Sequence, residues 1–183
     1  MDFKFSEDQT AIRELAYQIF TDRATDEFLL SFSRTDATYD DELWQTLAEQ
    51  GLLGIAVPEA AGGTGLGLVE LCMVLEEQGR RVAPVPLYSS LVLGGLPIAE
   101  FGSAEQQQRY LQPMAAGDRK LSAAIAESAM NSALVSSVTA TAAGDGWVLE
   151  GDRAVVPDGA VADYILVPAV TEDDEQSIFI IDT

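Results

Sequence analysis

The sequence has 183 residues, 48% hydrophobic and 22% charged, which is enough apolar material for a buried core and too much for wholesale disorder. Its 30 acidic and 10 basic residues give a formal charge of −20, which repels phosphate backbones and anionic lipid surfaces and argues against nucleic-acid and membrane partners. With no histidine and a single cysteine, Ser-His and Cys-His nucleophiles, an internal disulfide and a cysteine-histidine metal centre are excluded, so any catalysis must come from a carboxylate or a cofactor.

The start, MDFKFSEDQT, is polar and acidic where a signal peptide would be basic and then apolar, and no apolar run is long enough to span a bilayer. The expected location is cytoplasmic. Ser6 with Gln9 three residues later fits a capping box, and Ile12, Leu15, Ala16, Ile19 and Phe20 repeat on one helical face. This predicts a first helix that continues into the Phe28 to Phe32 region. A second helix is expected from about Asp40 to Gln50, with Leu43, Trp44 and Leu47 inward and Gly51 as its left-handed stop. Leu52 to Gly67 is an apolar segment closing in a glycine-rich turn. Lacking a GK[ST] ending and a preceding strand, it reads as a tight connection and not as a phosphate loop.

A third helix sets Leu68, Leu71, Cys72 and Leu75 on one stripe and stops near Gly79, which makes Cys72 a buried structural thiol. Arg80 to Pro86 reads as extended, because each proline biases its predecessor away from helix. The fourth helix, Leu87 to Glu100, is apolar on nearly every face and is either buried all round or the wall of an apolar pocket. The fifth starts at Ser103, has Gln106 at the capping-box position and ends at Gly117.

From Leu121 the period changes. VTATA, WVLEG, AVV, YILV and IFII are short runs bounded by turn signals, with Asp145-Gly146 marking a hairpin. The acidic turn Glu172 to Glu175 reads as a solvated loop, and the pairs Asp40-Asp41 and Asp173-Asp174 as caps or solvated faces and not a metal site. The expected class is α+β: an all-α helical domain over residues 1–120, then an incomplete antiparallel β domain over 121–183 of about six strands. The sequence ends at Ile180-Ile181-Asp182-Thr183, directly after an apolar strand. Such a sheet exposes an edge and an apolar face, so a partner or a further segment is expected to cover it.

The stretches FSEDQTAIRELAYQIF, LAEQGLLGIAVPEAAGGTGLGLVELCMVLEEQGR, GSAEQQQRYLQPMAAGDRKLSAAIAES and GWVLEGDRAVVPDGAVADYILV together resemble the N-terminal part of acyl-CoA dehydrogenases. These flavoenzymes oxidise the Cα–Cβ bond of acyl-CoA thioesters. The resemblance implies the family's helical domain, part of its middle β domain and the absence of its C-terminal four-helix domain. It also implies that the family's catalytic glutamate lies outside these residues, so no catalytic residue is assigned here.

In the family an apolar strand ends in Thr or Ser, then Glu, then a Gly-Ser-Asp loop whose serine meets cofactor or ligand. The matching positions here are Ile125, Ala126, Glu127 and the loop Asn131-Ser132-Ala133, so the hydroxyl before the glutamate is missing. A second flavin contact in the family comes from a Thr or Ser after an aromatic-aliphatic pair; here the segment reads Gly151, Arg153, Val155, Val156, Pro157. Proline has neither a side-chain donor nor an N–H, and each lost donor forfeits about 1 kcal/mol or more. The resemblance thus implies cofactor-facing positions Ile125, Ala126, Ser132, Val156 and Pro157. It implies acyl-pocket positions Ser89, Ser90, Leu93 and Ser132, since the fourth helix aligns with the helix that lines that pocket, and it implies no metal ligand.

Each position also has a plainer reading. Ser132 either contacts ligand or bonds its own backbone, Glu127 is a structural carboxylate, and the fourth helix is a pocket wall or a core helix. Trp147 reads as a strand residue covering the sheet, and Arg153 as either a phosphate partner or a solvated charge. Missing donors of this kind resemble the family branch known from sterol side-chain degradation, built from two different subunits with FAD at a shared interface. The implied partners are acyl-CoA, a second acyl-CoA dehydrogenase subunit in a homo- or hetero-oligomer, and an electron-transfer flavoprotein. The competing reading is a non-catalytic structural subunit or a truncated fragment that completes an oligomer.

Overall fold

The structure, a computed structural model, describes residues 4–125 and 137–183. It divides into two compact units between Asp118 and Arg119. The first is helical.

Helix α1, Glu7–Arg23, starts as its sequence requires: the Ser6 hydroxyl accepts from Gln9 N–H at 3.1 Å while Gln9 Oε1 accepts from Ser6 N–H at 3.0 Å. It does not continue into the Phe28 to Phe32 region. The backbone leaves helical geometry at Ala24, and the Thr25 hydroxyl accepts from Phe28 N–H at 3.2 Å, capping a separate α2, Asp26–Phe32. A threonine that caps a new helix competes successfully with continuation of the old one. Helix α3, Asp41–Glu49, is capped by Asp40, buries Leu43, Trp44 and Leu47, and is stopped by Gly51 at φ 73°.

The glycine-rich turn folds back on the chain before it. The N–H groups of Gly63, Thr64, Gly65 and Leu66 donate to the carbonyls of Pro58, Gly54, Val57 and Ile55 at 2.9 to 3.2 Å. All four donors are consumed, so this turn offers an anion no nest. Helix α4, Leu68–Arg81, runs two residues past Gly79. Its buried stripe is Leu71, Val74 and Glu77 with Met73 beside it; Leu68 is exposed and Cys72 is exposed, not a buried thiol. Position 72 lies about 100° round the helix from 71, so apolar sequence neighbours did not fix its face.

Helix α5 occupies 88–101: a π-helical run, Tyr88–Gly95, leads into α-helical Leu96–Phe101. Helix α6 occupies 104–115, with a second π-helical run, Gln107–Leu111, between Ala104–Gln106 and Gln112–Ala115. Each wide turn ends two residues before a proline, Pro97 or Pro113. A proline inside a helix lacks one N–H and crowds the carbonyl four residues back, and an i→i+5 turn relieves both. Trp44 Nε1 donates to the Gly117 carbonyl at 2.8 Å, tying α3 to the end of α6. The core joins Phe20, Trp44, Leu47, Leu53, Ile55, Leu71, Leu87, Leu111 and Met114, all essentially inaccessible. Each such side chain contributes roughly 1.5–3 kcal/mol of transfer free energy.

Among the described residues, the second unit is a sheet of β1 Leu121–Ala123, β2 Thr139–Ala143, β3 Gly146–Glu150, β4 Tyr164–Thr171 and β5 Gln176–Asp182. The α+β order of the chain is as expected, but the sheet is mixed and not antiparallel. β1 and β2 each run parallel to β4, while β2 with β3 and β4 with β5 are antiparallel. The run AVV at 154–156 is not a strand but part of the loop between β3 and β4. The hairpin falls one residue earlier than expected: Ala143 pairs with Gly146, leaving Gly144 (φ 58°) and Asp145 at the tip. Positive φ at the first tip residue alone is the pattern of a II′ turn, with glycine where that turn needs it. One face of the sheet is a core of Ala140, Ile165, Val167 and Ala169 with Leu149 and Phe179 against it. By strand alternation Val148 and Ile178, both more than half exposed, stand on the opposite face.

Candidate functional site

Two segments of the second unit carry the expected cofactor-facing positions. The first is the end of β1. Ala124 N–H donates to the Leu166 carbonyl at 2.8 Å, and Ile125 follows with 40% of its surface exposed. Ala126, Glu127, Ser132 and Ala133 lie outside the described residues.

The second segment is the loop between β3 and β4. Val156 packs against the core of the sheet, and its carbonyl accepts from Gly159 N–H at 3.1 Å. Pro157 has no N–H, and its carbonyl accepts a hydrogen bond from the Ser122 hydroxyl. Ser122 is fully buried on β1, three residues before Ile125, which is roughly 10 Å along a strand. This bond brings the Val156-Pro157 segment alongside the strand that leads into Ile125. Upstream, the loop is fixed by Ser137 Oγ donating to the Asp152 carbonyl at 3.1 Å and Arg153 Nη2 donating to the Pro168 carbonyl at 2.9 Å. Arg153 is thus half-buried and bonded within the sheet.

A flavin ring is lined with hydrogen-bonding nitrogens and oxygens, and the side chains at the three described positions offer them no partner. Ile125, Val156 and Pro157 carry no side-chain donor, and the carbonyl of Pro157 is already engaged. Their side chains fit a cofactor as an apolar wall.

In the helical unit, Ser89 and Ser90 are fully buried on α5 and Leu93 is half-buried. Ser89 Oγ and Ser90 N–H both donate to the Pro86 carbonyl at 3.0 Å, so this stretch of α5 is tied to its own first turn. A cavity of about 10 Å³ is lined by Leu53, Ile55, Val57, Leu91, Gly95 and Met114, and by none of those three positions. It has room for about one water, not for an acyl chain.

The strongest electrostatics in this unit are structural. Arg23 at the end of α1 binds Asp40 through both guanidinium arms, at 2.5 and 2.7 Å, and reaches Glu42 at 2.7 Å. The bond to Asp40, foremost, raises the Arg23 pKa. Glu77, buried in α4, is met by Arg13 at 3.1 Å and Arg80 at 3.5 Å. Glu70 accepts from Gln9 Nε2 at 2.8 Å and caps Gly67 N–H at 2.9 Å; the Gln9 bond is the main reason its pKa is lowered. Sequence reasoning did not find Ser122, although a lone hydroxyl inside the run LSAAIA was its signal. Among the described residues no acidic, cysteine or histidine cluster could hold a metal, and no helix is long and apolar enough to cross a membrane.

Residues 6–118 match the family described as acyl-CoA dehydrogenase, N-terminal domain. FadE27 of Mycobacterium tuberculosis, named an acyl-CoA dehydrogenase, is 35% identical over 99% of this chain and 47% of its own length. Among solved structures, a variant of the Tcur3481-Tcur3483 steroid ACAD is 46% identical with a TM-score of 0.88, covering 96% of this chain and 48% of its own. The ChsE4-ChsE5 complex of Mycobacterium tuberculosis is 35% identical with a TM-score of 0.89, covering 100% of this chain and 49% of its own. The chain spans about half the length of these relatives.

Proposed function

The chain belongs to the acyl-CoA dehydrogenase family, and from that premise we propose that it supplies one side of a flavin and acyl-CoA site that a second acyl-CoA dehydrogenase subunit completes. The overall reaction is FAD-dependent desaturation of the Cα–Cβ bond of an acyl-CoA thioester, with the proton-abstracting glutamate supplied from outside these 183 residues. Its electrons pass to an electron-transfer flavoprotein.

The observation that carries this reading is Pro157: it lacks an N–H, and its carbonyl is bonded to Ser122, where the family's pattern has a hydroxyl donor. Ala126 repeats the loss at the other segment. A flavin held by this chain alone would lose two donors, each about 1 kcal/mol or more. A site shared between two chains regains them from the partner. Two of the similar structures are named as pairs, Tcur3481-Tcur3483 and ChsE4-ChsE5, and the first is called a steroid ACAD. A sterol-derived acyl-CoA is therefore the substrate class to try first. In this assignment residues up to about 120 form the family's helical domain and the remainder part of its β domain. Half-buried Leu93 faces the acyl chain, with the enclosed Ser89 and Ser90 shaping that stretch of α5 from inside the core; Ser132 meets cofactor or substrate, and Ile125, Val156 and Pro157 form an apolar wall.

The test is the visible spectrum and intact mass of the protein purified alone and after co-expression with a candidate partner subunit. Flavin near stoichiometry only in the two-chain sample is the expected result. A colourless two-chain complex would instead make this chain a structural subunit, and stoichiometric flavin on the chain alone would remove the need for a shared site.

A further inference from the structure

We propose that Ser122 is a positioning residue for the loop that faces the flavin site: its hydroxyl holds the Pro157 carbonyl against β1, at the one residue of the loop that has no N–H to pair. The proposal rests on the reading above that this loop is a cofactor wall.

Ser122 sits in an otherwise apolar stretch, Leu121 to Ile125, and no part of it reaches solvent. A hydroxyl buried in such a place is destabilising unless it is bonded, and here it donates to the Pro157 carbonyl, 35 residues away in sequence. The far end of the loop is tied to the sheet, with Asp163 N–H donating to the Lys120 carbonyl at 2.8 Å and the Thr183 hydroxyl to the Ala162 carbonyl at 2.6 Å, while the turn around Pro157 carries bonds within itself. The Val156 carbonyl accepts from Gly159 N–H at 3.1 Å, and the Asp158 carbonyl accepts from Val161 and Ala162 N–H at 3.0 and 3.1 Å. Asp158 itself turns through φ 51°. A turn satisfied internally keeps its shape but does not by itself fix its distance from a neighbouring strand. At the Pro157 end the Ser122 hydroxyl fixes it, together with Val156 packed on the sheet core; at the far end Ala162 in that core and the Asp163–Lys120 bonds do so.

The consequence is chemical as well as mechanical. With its carbonyl engaged and no N–H, residue 157 presents only its ring to a ligand. The position therefore selects by shape, for a flat apolar surface, and its accuracy depends on Ser122.

The test uses the full protein with any partner it carries, compared with Ser122→Ala and Ser122→Thr. Two quantities are read: hydrogen exchange at the Gly159, Val161 and Ala162 amides, and flavin affinity followed by the visible spectrum. Loss of one net hydrogen bond predicts roughly fivefold faster exchange at these amides and roughly fivefold weaker flavin binding in the alanine variant. The β4 amides should be unchanged, and threonine should restore both. Unchanged loop exchange in Ser122→Ala overturns the proposal, as does faster exchange with unaltered flavin affinity. If no form of the wild-type protein binds flavin, the function proposed above fails, and the exchange measurement still decides whether Ser122 holds the loop.

Discussion

At Gly63 there is no room for a side chain: an added Cβ would lie 2.1 Å from the Val57 carbonyl oxygen and 2.4 Å from the Val57 Cβ. Both obstacles belong to the segment that the turn folds back on, so relief would break the bonds that consume its N–H groups. Gly63→Ala is expected to cost about 3 kcal/mol, the upper end for overpacking, read as a lower urea midpoint at unchanged slope. Gly79 is the opposite case, since it lies in α4 and a Cβ there would meet nothing within 4 Å. Gly79→Ala should therefore stabilise by about 0.5–1 kcal/mol through helix propensity and a less flexible unfolded chain. A destabilised Gly79→Ala would show that this end of α4 is not helical in solution. The sequence already marked Gly51 and Gly117 as helix stops, and both take positive φ, 73° and 83°. It could not mark Gly63, whose constraint comes from Val57 and Gly54 across a turn and not from its own backbone angles.

Helices α1 and α4 run parallel, because Gln9 meets Glu70, Arg13 meets Glu77 and Tyr17 meets Arg81 in ascending order along both. The lowered pKa of Glu70 gives this contact a pH dependence whose sign follows from linkage. A carboxylate depressed in the folded state stabilises above its unfolded pKa and loses that contribution as pH falls through the folded value. Glu70→Ala should thus lower Tm by about 3 °C at neutral pH, from roughly 1 kcal/mol of lost capping, with the gap closing below pH 4.5. A gap that persisted in acid would mean packing, not charge, is what Glu70 provides. The buried Glu77 makes a different prediction. Arg13→Ala leaves its carboxylate with only the longer Arg80 contact, whereas Glu77→Leu removes the buried charge altogether. Because Arg13 is about a third exposed, its loss should cost about 1 kcal/mol, with Glu77→Leu closer to neutral; thermal melts of both rank them. At this scale the caps at Ser6 and Ser103 were legible, since capping is local, while Asp40, the cap of α3, read equally as a solvated charge. The parallel pairings of β4 and the π turns before Pro97 and Pro113 were not, because each is settled by neighbours that short-range periodicity does not encode.

Over the whole molecule, the formal charge of −20 acts on every element at once. The acyl-CoA dehydrogenase resemblance was legible from words spread along the chain. The candidate site is legible in the sequence only as positions, because the Ser122 bond that engages the Pro157 carbonyl joins residues 35 apart. Self-repulsion among 30 acidic side chains opposes compactness, while pairs such as the exposed Arg80–Glu76 and the half-buried Arg23 with Glu42 favour it. Salt weakens both, so the balance decides the sign. Raising ionic strength from 0.01 to 0.15 M shortens the screening length from about 30 to about 8 Å, which removes most repulsion between distant carboxylates. Contact pairs at 2.5 to 2.7 Å lie well inside either length and lose less. The repulsive sum has many more members than the attractive one, since acidic residues outnumber basic ones three to one. Tm should therefore rise by roughly 3 °C across this range, equivalent to about 1 kcal/mol for a chain of this size. Calorimetry at the two salt concentrations measures it directly. A fall in Tm would mean that the ion pairs clamping α1 to α3 and α4 outweigh the net charge, and would make Arg23 and Arg13 the dominant electrostatic residues of the fold.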